Sequence, residues 1–173
     1  MLKKVMAMVC AVAMVVGMAV PAFAAPSPTS TTTIESSTGE AVEIKASGGT
    51  VEAATNLTSA QKNNVEVVNN VINSNDAKDA KTIKESLAES GIVVSDTTAN
   101  VIADGDVTTL EQPVEVIQNG DDPVILTDLG EYDFVLMLVE NENNETELIS
   151  VPVNSDGTAT VGSGFIVGFV KNK

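Results

Sequence analysis

The chain has 173 residues, 24 acidic side chains against nine lysines and a net charge of −15, with one cysteine and no arginine, histidine or tryptophan. Without an imidazole there is no Ser–His or Cys–His catalysis, and no zinc site built from His and Cys. Nucleic acid and anionic membrane surfaces, both bound through clustered Lys and Arg, are excluded as partners.

Residues 1–24 read as a signal peptide. Lys3 and Lys4 supply the positive start, Val5 to Val20 is an apolar run short for a membrane span, and Ala22-Phe23-Ala24 is a small-x-small cleavage site. Cutting there leaves 173 − 24 = 149 residues, seven lysines and a net charge of 7 − 24 = −17. The cut also removes Cys10, which lies inside the apolar run and is not read as a lipoprotein anchor. The mature chain would be secreted or held at the cell envelope, with no membrane span. It would be stabilised by its core alone, and at this length about 68–70% of the unfolded surface can be buried. Export without a disulfide framework points to a bacterial product.

Residues 25–39, rich in Pro, Ser and Thr at their start, read as a disordered tether. Residues 40–173 read as a single α+β domain. Val42 and Ile44 alternate with Glu43 and Lys45, predicting a short half-buried strand that ends at Gly48-Gly49. A helical hairpin follows at about 58–90. Thr58 and Gln61 fit a capping box, and Val65, Val68 and Ile72 make one apolar stripe. Asn73 to Asp76 is a turn and fresh N-cap region. Ala80, Ile83 and Leu87 mark the second helix, with Gly91 at its C′ position.

A β-module over about 92–171 completes the chain as an antiparallel sandwich or meander. Candidate strands are Val101-Ile102, Val114 to Ile117, Val124 to Leu126, Tyr132 to Val139, Glu147 to Val151, Ala159 to Val161 and Phe165 to Val170. Asn119-Gly120, Asn141 to Asn144 and Asp156-Gly157 supply turns. The unbroken apolar run to Val139 predicts a central strand covered on both faces. Phe134, Leu136 and Leu138 share one face and Phe165, Val167 and Phe169 another, and these faces are expected to meet. Gly168 predicts a bulge or a close backbone approach.

The best metal candidate is Asn100 to Glu111. Against a calcium-binding helix–loop–helix it places Asn100 at position 1, Asp104 at 5, Gly105 at 6 and Glu111 at 12, with Asp106 a further oxygen donor. Ile102 stands at position 3, where an oxygen is needed, and Pro113 interrupts the exiting helix. A β-turn at Asp104-Gly105 between strands accounts for the same residues. The oxygen clusters at Asn119 to Asp122, Asn141 to Glu147 and Asn154 to Gly157 read first as turns, and Gly162-Ser163-Gly164 as a turn before the last strand. No catalytic residue and no cofactor is expected.

The order of elements resembles an uncharacterised family of small exported proteins of anaerobic Gram-positive bacteria. The similar segments are Gly91-Ile92, Val101-Ile-Ala-Asp-Gly-Asp-Val107, Gln112-Pro-Val-Glu-Val116, Asp156-Gly-Thr-Ala-Thr160 and Gly164-Phe-Ile-Val167. That family usually has proline where this chain has Gly164, and a late-strand tryptophan that is missing here. The resemblance implies a β-rich extracellular module and brings no site residue with it.

The function expected from these readings is a non-catalytic secreted or envelope-associated binding or structural module, its partner an extracellular or envelope protein or glycan. Two alternatives belong to other classes. One is a Ca²⁺-dependent module using Asn100 to Glu111; the other is a small hydrolase working through two carboxylates.

Overall fold

The computed structural model describes residues 30–74 and 79–173, which form ten strands and three helices. In chain order these are β1 (Ser30–Glu35), β2 (Ala41–Ser47), β3 (Gly49–Ala53), α1 (Ser59–Asn73), α2 (Ala80–Glu89), β4 (Val93–Val94) and α3 (Asp96–Asp104). They continue with β5 (Gly105–Gln118), β6 (Val124–Thr127), β7 (Phe134–Glu140), β8 (Thr146–Pro152), β9 (Ala159–Val161) and β10 (Gly164–Asn172). The expected signal peptide, the start of the expected tether and the turn at Asn75-Asp76 lie outside the described residues.

One sheet has the order β1-β2-β6-β9, and the other β3-β5-β10-β7-β8-β4. Every pairing is antiparallel except that of β4 with β8. The protein is therefore α+β, with a β-sandwich-like body and helices on one side. Alternation along the strands divides the interior in two. Ile44, Leu126, Val116, Met137 and Phe169 fill the space between the sheets. Val68, Ile83, Leu87, Leu138 and Val167 fill the space between the larger sheet and the helices. β7 lies inside the larger sheet with Val135 to Leu138 all buried, as its apolar run predicts for a strand covered on both faces.

The last strand carries a bulge. Its register against both β5 and β7 shifts between Ile166 and Gly168, and a Cβ on Gly168 would stand 2.7 Å from the Thr108 oxygen. This extra residue corrects the expected pairing of faces. β7 and β10 are neighbours in one sheet, so their faces lie side by side and do not meet across the core. Beyond the bulge Phe169 turns to the inter-sheet side, where its ring stacks on Tyr132 at 4.7 Å, while Phe165 and Val167 stay on the helical side.

The capping box forms as the sequence predicts. Gln61 N donates to Thr58 Oγ1 at 3.2 Å, and Thr58 N donates to Gln61 Oε1 at 2.8 Å. Asp79 caps α2 by accepting from Thr82 N at 2.9 Å, and Gly91 follows the C-cap Ser90 with φ +77°.

Two expectations about elements are overturned, and a third holds. Residues 30–39 are not tether throughout: Ser30–Glu35 is a strand with Ile34 buried, since its run of β-branched threonines suits an edge strand. The strand through Val42 and Ile44 ends at Ser47, immediately before Gly48-Gly49, as the sequence predicts. Gly48, at φ +78°, turns the chain from β2 in one sheet directly into β3 in the other. Val101-Ile102 is helix, not strand. Ser95 accepts from Thr98 N at 3.1 Å, Asp96 sits in the positive first turn, and Thr98, Ala99 and Ile102 are buried on one side of α3.

β1 also seals a side of the sandwich. The Ser30 hydroxyl donates to Val51 O and accepts from Val51 N, and Ser36 bridges to Leu110 of β5. The two remaining sheet edges, β9 and β4, are three and two residues long. Short edges of this kind offer little to an added strand.

Candidate functional site

α1 covers only part of the outer face of the larger sheet. Between its first two turns and strands β5, β10, β7 and β8 lies an open groove of about 330 Å³. Strand alternation decides which side chains face it. Val114 and Val116 point into the sandwich, so Glu115 and Ile117 point to the groove side. Glu115 pairs directly with Phe165 on β10, and Phe165 with Leu138 on β7, so an acid, an aromatic ring and an aliphatic side chain run across three strands. Glu140 and Thr146 close the far end.

The helical wall is held in place. Gln61 is fixed by the capping box, and Asn64 Nδ2 donates to Thr146 Oγ1 at 3.0 Å, tying α1 to β8. At the floor, Ser163 N and Oγ donate to Gln118 Oε1 at 3.3 and 3.2 Å. Gly164 has φ +157°, and a Cβ there would stand 2.7 Å from the Leu138 oxygen. Proline, with φ held near −65°, could not replace it.

Ile117 and Val93 are the large apolar side chains most open to solvent among the described residues, at 38% and 40% exposed. Ile117 borders the groove and Val93 sits on the short edge strand β4. Beside Ile117 two acids stand together. Glu52 on β3 is the direct cross-strand partner of Glu115, so both carboxylates share one face. Among the described residues neither has an ion-pair partner.

The sequence-predicted metal residues do not converge. Asn100 is inside α3, Asp104 is its last residue, and Asp106 and Glu111 lie on β5. A helix running straight into a 14-residue strand cannot wrap an ion, which overturns both the calcium-loop alignment and the β-turn between strands. Asp106 instead pairs with Lys173 at 3.6 Å. Among the described residues no group of three or more acids could hold a metal ion.

Two of the other oxygen-rich segments use their side-chain oxygens on their own backbone and hydroxyls. Asn141 Oδ1 accepts from Asn143 N and Glu145 N, shaping the β7–β8 hairpin loop. Asp156 Oδ1 accepts from the Thr158 hydroxyl at 2.7 Å and from Thr158 N at 3.1 Å, and these bonds hold its carboxyl below the usual range. Asp79 is lowered likewise by the backbone and hydroxyl of Thr82. Among the described residues no helix is long and apolar enough to cross a membrane.

Sequence reasoning missed the groove because it is made by what α1 leaves uncovered. Glu115 between Val114 and Val116 was a visible signal, an acid aimed at the opposite face from two core residues. No family model matches the chain, and no curated protein or solved structure matches it, so the functional reading rests on its own residues.

Proposed function

We propose that the protein is a non-catalytic binding module that works outside the cytoplasm, secreted or at the cell envelope, and engages a partner protein through the groove beside α1. Export is supported by the basic start, apolar run and small-x-small site of residues 1–24. The observation that carries the binding role is the groove itself. Its apolar floor at Phe165 and Leu138, polar wall at Gln61 and Asn64, and exposed Ile117 make a concave, mixed surface of the kind partners dock on. The sheet edges are short or sealed, so strand addition is the weaker route. Chemistry is assigned to none of the groove residues, in keeping with a chain that lacks histidine.

The test compares two surface variants as bait against envelope fractions and spent medium. Ile117→Asp should leave stability within about 0.5 kcal/mol of the parent and abolish capture of a partner. Val93→Asp, at a similarly exposed apolar position away from the groove, should capture it as the parent does. A partner held equally by both variants would refute the groove as the binding surface.

A further inference from the structure

The free protein keeps two like charges side by side at the open end of the groove. Glu52 and Glu115 face each other on neighbouring strands, an arrangement that destabilises a sheet unless a cation lies between them. Their neighbours in strand register on that face are not lysines but Ile117, the cross-strand partner of Thr50, and Phe165, the cross-strand partner of Glu115. Glu140 adds a third acid at the opposite end. The chain as a whole is strongly acidic, so the groove sits in a field that draws cations and repels anions.

On these grounds we propose that the groove takes a basic, partly apolar segment of a partner protein, with a lysine or arginine held between Glu52 and Glu115 and an aliphatic side chain laid on Phe165 and Ile117. The proposal rests on the groove being the binding surface and adds the chemistry of its occupant. An extended segment fits best. Alternate residues of such a segment point to the same side, so a cation and an aliphatic group two positions apart would reach the acid pair and the apolar floor together.

The probe is a fluorescein-labelled synthetic peptide in which serine alternates with lysine or leucine, so that lysine and leucine share one face when extended. Its comparator carries glutamate in place of lysine. Anisotropy titrations at low salt should show binding of the lysine peptide and none of the glutamate peptide. Raising the salt should weaken binding, because the acid pair is exposed. The double variant Glu52→Gln, Glu115→Gln should bind about tenfold more weakly, two exposed charge contacts being of that order. A control, Glu35→Gln at the end of β1 with Glu40→Gln in the β1–β2 connection, removes the same charge and should bind like the parent.

Equal weakening by both doubles would mean general attraction to an acidic protein and would overturn the proposal. So would equal binding of the two peptides, or no binding by the parent. If the lysine peptide fails while Ile117→Asp still loses its captured partner, the groove stands and its cationic occupant falls. If Ile117→Asp behaves like Val93→Asp, both fall.

Discussion

The larger sheet has two faces with opposite characters. Toward the smaller sheet it is closed: Val51, Leu110, Val116, Met137 and Phe169 meet Ile44, Ala46, Leu126 and Val161 with almost no exposed surface. Toward the helices it is packed at Leu136, Leu148 and Val170, and left open along the groove from Glu115 and Ile117 on β5 past Phe165 on β10 to Glu140 on β7. The first face holds the fold together, and the second has room for something else. The contrast teaches that a partner site can arise from incomplete coverage, with no unusual residue to announce it.

The largest effects should come from the closed face. Phe169→Ala removes a fully buried ring stacked on Tyr132 and should cost about 4 kcal/mol. Leu87→Ala, equally buried but under helices that can shift, should cost about 3 kcal/mol. Urea unfolding measures both, and a larger loss at Leu87 would break the contrast. Next comes the wall of the groove. Thr58→Ala removes the capping box and should cost about 1 kcal/mol, with earlier hydrogen exchange in the first turn of α1.

How much of this was legible in the sequence depends on the kind of signal. Thr58 with Gln61, Gly91, the apolar run through Val139 and the bulge at Gly168 are local instructions, and the structure follows each of them. Ser30 to Glu35 looked like tether because polarity outweighed the β-branching of three threonines. Val101-Ile102 looked like strand for the opposite reason: two β-branched neighbours outweighed the Ser95 cap and the Thr98, Ala99, Ile102 spacing. The groove needed more than local reading. It depends on Glu52 and Glu115 falling opposite each other across β3 and β5, strands distant in sequence, and on how far α1 reaches across the sheet.

Charge gives a smaller effect with a definite sign. Asp79 and Asp156 have carboxyls held below their ordinary value of 3.8. Their contributions are complete above that value and are lost as pH falls through the lower folded values. At the alkaline side, hydrogen bonds from Lys45 to Asp128 and Glu43 raise its amine above 10.5, and burial raises the Tyr132 hydroxyl above 10.0. Those contributions are complete below the ordinary values and are lost as pH rises through the folded ones. Thermal melts should therefore be flat between about pH 5 and 8, where no ordinary side chain of this protein titrates, and should fall on either side. A steep change inside that window would point to a strongly shifted group and to a second site. The smallest expected effect is from calcium. At millimolar Ca²⁺ neither the parent nor Glu111→Gln should gain melting temperature, since Asn100, Asp104, Asp106 and Glu111 lie along a helix and a strand.

The most direct test of the contrast between the faces is an amide chemical-shift map of the labelled protein titrated with the lysine–leucine peptide. The changes should gather at Gln61, Asn64, Glu115, Ile117 and Phe165 and leave β1, β2, β6 and β9 unmoved. Changes centred on the smaller sheet, or scattered evenly over the acidic surface, would contradict it.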